Sequence, residues 1–449
     1  MERWLAKKVE LRILLGAILL MLLLTWVFGW LVYNRLSGGE RFGSASSAAV
    51  LIVSAPKTAQ KILSGDLKLD DHEVRANFDE AGGFTFFREP EAPQYVLVSR
   101  YDGDIRWSVV ELYREGESDP IHVWKFDQPE EFAFASENRF AVSPKPRKSH
   151  LLRTVHPQLM PDGSLVVHSH YSGLYRVDAC SKPIWTNAEF GFHHSVEISP
   201  EGDIWTPGTV SPEIEGYGWN EKTYDDHIVK VSPEGEVLYA KSVLQMLIDA
   251  DLINLIYDYD FTVQDPIHLN DIEPVRADGE IAKRGDVFLS LGHLNMVLLF
   301  RPATDEIIWY SQDLMMHQHD VDPLGLDSIS VYDNRRKTDA DGKPFVLGLN
   351  ELLRFDLPGK KAEQFFLDEM SSMDIRTFNQ GLSDAIAGSG RMVEETSRGR
   401  LIKFGEDGAP DWVFLNRSEN DRLWVMNWSR YLPKAVGDVA VEALAATKC

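Results

Sequence analysis

Residues 295–309 read NMVLLFRPATDEIIW, and the same shape returns as SGLYRVDACSKPIW at 172–185 and RGRLIKFGEDGAPDW at 398–412. Each phrase is an apolar-rich run, a polar turn, a second run and a closing tryptophan: Trp309, Trp185 or Trp412. Short β-rich runs bounded by turn residues read as hairpin strands. Acidic residue–glycine pairs punctuate the region, at Asp162-Gly163, Glu201-Gly202, Glu234-Gly235, Asp278-Gly279 and Asp407-Gly408. They supply the positive-φ positions that tight hairpins demand. A second phrase travels with the first: HHSVEISPEGDIW from His193, HLNDIEPV from His268 and HQHDVDPLGLDSISVYDN from His317. Loose repeats of roughly 40–50 residues with several strands each point to a propeller. Six units are expected, starting near Gly83, Leu151, Phe192, His268, His317 and Asn379. They give an all-β fold, a six-bladed β-propeller over residues 83–435. A β-sandwich with a second domain is the competing fold, which the recurring tryptophan phrase disfavours. Ser242–Ile256 has helix-like apolar spacing and is expected to interrupt the strands.

Upstream, Leu11–Tyr33 carries Arg12 as its one charge. About 20 apolar residues span a bilayer, and the run exceeds the roughly 7–15 residues of a signal-peptide core. Trp26, Trp30 and Tyr33 suit the far interface. Arg3, Lys7, Lys8 and Arg12 precede the run and Arg35 and Arg41 follow it, a bias towards a cytoplasmic N-terminus. Residues 1–33 are therefore read as a cytoplasmic tip and an uncleaved transmembrane signal anchor. The chain would be single-pass in the inner membrane with its propeller in the periplasm. Cleavage near Ala45–Ala49 is the alternative. Residues 34–82 read as a linker with a short helix over Lys57–Leu69, and 436–449 as a C-terminal tail.

The formal net charge of −23 repels phosphate backbones, so nucleic acid is not an expected partner. The two cysteines, Cys180 and Cys449, are expected to be free thiols. The chain has no phosphate-binding glycine loop, nucleophile elbow or HExxH zinc motif, which leaves NTPase, esterase and zincin chemistry unsupported.

The second phrases align on their Val/Ile-acid core. His194, Asn270 and His319 then share one position, and His268 and His317 stand two residues before it. Equivalent positions on inner strands converge on the axis of a propeller, so a cluster of His and Asn is expected there. Imidazole there serves as nucleophile, acid–base group or metal ligand. The metal reading would draw on His194, His268, His319 and Asp271. The plainest alternative is hydrogen bonding between blades.

Taken in order, HHSVEISPEGDIW, HLNDIEPV, SLGHLNMVLLFRPATDEIIW, HQHDVDPLGLDSISVYDN and QGLSDAIAGSGRMVEETSRGRLIKFGEDGAPDW resemble the bacterial arylsulfotransferase family across roughly Gly83–Leu432. GGFTFF near Gly83 and WSRYLP near Arg430 fit as well. The resemblance implies a periplasmic six-bladed propeller that moves a sulfuryl group from an aryl sulfate to a phenol. It also implies a sulfohistidine intermediate, with no nucleotide sulfate donor, cofactor or metal. Carried over by motif, the nucleophile resembles His319, with His268, His194 and Asn270 as further catalytic groups. His293 and His317 are expected to bind substrate, and His193 to serve a surface or inter-blade role. One position departs: Gly292 stands where the family has an arginine for the sulfuryl oxygens. His293, Arg276 or Arg391 would have to compensate. If none does, the protein is a catalytically altered propeller that binds a ligand or protein. A quinone-cofactor propeller shares only the tryptophan phrase.

Overall fold

The computed structural model describes residues 11–449 except 37–41, 64–71, 75, 127–152, 258–263, 341, 387 and 389. The chain divides into two compact units, residues 1–71 and 72–449.

In the first unit, α1 (Leu11–Leu36) and α2 (Gly43–Leu63) are both helical. Arg12–Asn34 of α1 is long and apolar enough to cross a membrane. Helix α2 begins before the expected start at Lys57, and positions 64–69 of that expected helix lie outside the described residues.

The second unit is an all-β, propeller-like arrangement of antiparallel sheets. Four sheets are discrete and blade-sized. One joins Arg430–Leu432 to Tyr95–Asp102, Trp107–Arg114 and His122–Lys125. A second holds Leu269–Pro274, Val287–Leu291, Met296–Arg301 and Glu306–Ser311. A third holds Val321–Gly325, Ser328–Asp333, Glu351–Asp356 and Glu363–Phe365. The fourth holds Leu382–Ile386, Gly390–Glu395, Arg400–Phe404 and Pro410–Leu415, with Gly83–Phe86 on its edge.

The expected six separate blades are not all present as separate sheets. The strands between Val155 and Ser242 form one continuous eight-stranded sheet. Its two halves fuse where Gly208 pairs Phe192 and Thr209 pairs Gly191. Glycine permits that approach, since a Cβ at 208 would stand 2.7 Å from the Cβ of Phe190. The unit expected to start at Leu151 has its first described strand at Val155–Leu159, and Leu151 itself lies outside the described residues.

The two ends of the unit interlock. Gly83–Phe86 pairs with Pro410–Leu415, and Arg430–Leu432 pairs with Tyr95–Asp102. Glu73–Val74, inside the stretch read as linker, pairs with Leu423–Trp424. The interruption expected at Ser242–Ile256 consists of helices at Val243–Asp249 and Asn254–Tyr257, the first capped by Ser242.

The tryptophan phrase staples strand to neighbouring turn or sheet. The indole N–H groups of Trp185, Trp309 and Trp412 donate to Pro233 O at 2.9 Å, Gly359 O at 2.8 Å and Glu115 Oε1 at 2.9 Å. A buried indole needs such an acceptor, which gives a physical reason for the repeat. The His phrase supplies a second staple. The backbone N–H groups of Ile272, Val321 and Ser383 donate to Ser195 Oγ, Asp271 Oδ2 and Asp320 Oδ2 at 3.0, 2.9 and 2.8 Å. Ser195, Asp271 and Asp320 are therefore equivalent, which fixes the register of the histidines beside them.

The expected tail is largely a helix, Lys434–Ala446, whose Ala440 and Leu444 pack among Tyr95, Leu97, Leu159 and Ala179. The free-thiol expectation is overturned. Cys180 and Cys449 form a disulfide with Cα atoms 5.3 Å apart, because the helix carries the chain end back to the turn after Val177.

Candidate active site

The five expected histidines come together. His194, His268, His293, His317 and His319 form a connected group, with ring centroids 4.5 Å apart for His268–His293 and 5.0 Å for His194–His268. His317–His319 and His194–His319 are at 5.4 and 6.0 Å. Several members hold strained backbone: φ is 60° at His194, 56° at His268 and 64° at His317. Gln380 and Trp428, which join the same cluster, are at 58° and 63°. Left-handed conformation at non-glycine residues persists where surrounding contacts enforce it, as they do at functional sites.

Asn270 shares their register, beside Asp271 as His194 is beside Ser195 and His319 beside Asp320. The ladder skips it in a bulge between Leu269 and Asp271. Its side chain is fully buried and donates to Gln318 O at 2.8 Å. The same bulge accounts for Gly292: a Cβ there would collide with Asn270 Nδ2. An arginine at 292 is incompatible with this placement of Asn270.

The two arginines expected to compensate are engaged elsewhere. Arg276 donates to Ile198 O and pairs with Glu273, while Arg391 donates to Ser383 O and Oγ. Arg336 stands in the histidine cluster instead. Its Nη1 donates to His317 Nε2 at 3.0 Å and to Asn379 Oδ1 at 3.3 Å. No carboxylate among the described residues pairs with it. The sequence reading missed Arg336 because it follows the His317 phrase and belongs to no repeat.

His319 has an assignable tautomer. Asn334 Nδ2 donates to Thr377 O at 3.0 Å and to Gln380 O, so Asn334 Oδ1 is the acceptor side. That oxygen lies 2.6 Å from His319 Nδ1, which therefore carries the proton. Nε2 keeps its lone pair, towards which the Gln380 N–H points at 3.1 Å. Burial, reinforced by His268, pulls the His319 pKa down to about 3, so the ring is neutral.

His268 has the opposite character. Burial opposes its charge, but Asp265 Oδ2 sits 2.6 Å from Nδ1 and raises its pKa above the ordinary value. The pair favours a protonated imidazole at His268, beside a set of rings that burial keeps neutral. Burial and neighbouring histidines keep His194 and His317 well below the usual imidazole range. His293 is also lowered by burial, and its Nδ1 lies 2.6 Å from Asp265 O.

His193 is buried rather than on the surface. Its Nδ1 is 2.8 Å from His194 Nδ1, and its Nε2 lies 3.3 Å from Asp226 Oδ1. His170 packs edge-on against His194 with ring centroids 4.9 Å apart. Trp428 packs against His194 and His319 at 6.1 and 6.4 Å, and its buried Nε1 has no acceptor among the described residues. Two triads, His194–His268–His319 and His268–His293–His317, place one ring nitrogen from each member within 4.8 Å of the others.

Among solved structures, the chain is similar to the Neurospora crassa Pan2 WD40 domain at 10% identity and a TM-score of 0.39, covering 74% of this chain and 84% of that one. It is also similar to a functionally unknown protein from Desulfotomaculum acetoxidans DSM 771 at 10% identity and a TM-score of 0.36, covering 71% and 94%. Likeness at these scores carries no functional implication. No curated relative matches. The family described as Arylsulfotransferase (ASST) matches residues 156–417, a stretch that contains every histidine of the cluster. The chain belongs to the arylsulfotransferase family.

Proposed function

We propose that this protein transfers a sulfuryl group from an aryl sulfate ester to a phenolic acceptor through a sulfated His319. The observation that carries the reading is the hydrogen-bond chain from Asn334 to His319 Nδ1, which leaves a neutral ring with its lone pair on Nε2. Family membership supplies the reaction class.

In the first half-reaction, Nε2 of His319 attacks sulfur. The N–S bond forms, the aryl S–O bond breaks, and the leaving phenolate takes a proton from His268. In the second, the acceptor phenol returns a proton to His268 as its oxygen attacks sulfur and the S–N bond breaks. Two imidazoles whose surroundings push their pKa values apart suit the roles of nucleophile and acid. The transferred group spreads negative charge over three oxygens, and positioned donors supply much of the catalysis. Arg336, with no paired carboxylate among the described residues, and the Trp428 indole N–H are suited to those oxygens. Arg336 thus takes the part that the residue at 292 plays elsewhere in the family.

The same reading places α1 in the inner membrane and the propeller in the periplasm. The Cys180–Cys449 bond supports an oxidising compartment. A propeller that binds without turnover is the second reading, favoured by Gly292 and by the Gln380 N–H resting on the nucleophilic lone pair. The test is turnover of a chromogenic aryl sulfate with a phenol present. Phenol-dependent release of the chromophore supports transfer. Binding of the aryl sulfate without release in folded protein selects the second reading.

A further inference from the structure

We propose that His194, His268 and His319 form a three-histidine site for a divalent transition-metal ion of the zinc class, and that the ion, when bound, blocks sulfuryl transfer. One ring nitrogen from each lies within 4.8 Å of the others. The inter-ring angles are 80° for His194–His268, 82° for His268–His319 and 49° for His194–His319. Crossed rings let in-plane lone pairs converge on one point. The other triad does not offer this. Its rings are stacked, with angles of 16°, 14° and 22°, so their lone pairs run side by side. Arg336 also donates to His317 Nε2 in that second triad.

The partners of the crossed rings carry the inference further. Metal-binding histidines ordinarily have their other ring nitrogen held by a carboxylate, a carbonyl or a similar group. Here all three Nδ1 atoms are held, His194 by His193 at 2.8 Å, His268 by Asp265 at 2.6 Å and His319 by Asn334 at 2.6 Å. Asp226 beside His193 Nε2 favours a proton there, which turns His193 Nδ1 into an acceptor and leaves His194 Nε2 as a lone pair. His268 gives up its Nε2 proton as the ion binds, and the three nitrogens, with a fourth position open to water or an anion, then match the donor set that zinc takes. Binding requires the Gln380 N–H to leave His319 Nε2. The ion and the sulfuryl group then compete for one lone pair, which is the basis of the predicted inhibition.

The test uses chelator-treated protein and cobalt(II), whose visible absorption reports its coordination. The expected result is one cobalt per chain with four-coordinate absorption, displaced by zinc. His194→Gln should abolish the signal and His293→Gln should retain it. Asp265→Asn should weaken binding about 10–100-fold, the usual cost of losing a partner of a ligand. Zinc added at the binding stoichiometry should suppress aryl sulfate turnover. Circular dichroism on each variant confirms folding. Absence of the signal in folded wild-type protein, its survival in His194→Gln, or its loss in His293→Gln would overturn the site. Full turnover in zinc-saturated protein would overturn the competition. Cobalt binding is read without any sulfuryl chemistry, and transfer is assayed on metal-free protein, so failure of either proposal leaves the other standing.

Discussion

The inner strands carry two belts of polar residues with contrasting physics. At the strand starts lie His194, His268 and His317, with His319 beside them. A few residues later come Glu197, Glu273, Asp322 and Asp384, which line a separate cavity of about 660 Å3 with Arg276 and Arg430. At the histidine end each imidazole of the crossed triad has a partner that fixes its proton, so burial produces defined tautomers. At the acidic end like charges crowd together. Burial comes first and neighbouring acids second in raising the pKa values of Asp320 and Asp322, and Glu273 is raised in the same way. The difference teaches that burial alone does not fix a protonation state. Each ring of the crossed triad has its own partner on Nδ1, whereas Glu197 and Glu273 share Arg276 and remain crowded by other acids.

The largest effect should come from His319→Asn. Turnover of a chromogenic aryl sulfate should fall by roughly 10³-fold or more, as for loss of a nucleophile. Asp322→Asn at the other belt should leave turnover intact, and a comparable loss there would erase the contrast. Next in size is Arg336→Gln, which should lower kcat/KM about 10–100-fold, the scale of a charge-assisted hydrogen bond. Arg276→Gln should not change it. Gly292→Arg should gain no activity and should cost about 1–3 kcal/mol in a denaturant titration, because the new side chain displaces buried Asn270. Full stability with higher turnover would show that the bulge adapts.

The smallest effect concerns pH. Asp271 is buried with one unpartnered oxygen, and burial followed by Glu197 pushes its pKa up to about 7 from 3.8. Between those values the folded state keeps a proton that the unfolded chain has lost, so stability falls as pH rises through that window. Asp271→Asn removes this contribution while leaving an oxygen for the Val321 N–H. Thermal denaturation should show the variant gaining Tm over the parent above pH 7 and matching it near pH 4. Equal gains at both would remove titration as the cause.

Much of this was legible in the sequence because repetition was. The tryptophan and histidine phrases recur locally, and their register reappears as the Ser195, Asp271 and Asp320 staples. The rest depended on contacts between distant positions. Asp265, Gln380 and Trp428 reach the histidines from outside the aligned core, and Arg336 lies just beyond a phrase. Asn334 was in plain view as the last residue of HQHDVDPLGLDSISVYDN, 15 residues from His319, yet only geometry pairs them. The bulge beside Asn270, which sets its amide against Gln318 O, carries no local signal in the sequence. The disulfide joins cysteines separated by 269 residues, beyond any local signal.

The central claim is that His319 carries the transferred group. Metal-free protein should be incubated with an aryl sulfate in the absence of phenol, digested near neutral pH, and mapped by mass spectrometry. The account predicts a single sulfuryl adduct on His319 that disappears when phenol is added. Turnover of the aryl sulfate with the adduct on His194 or His268, or with no adduct at all, would contradict it.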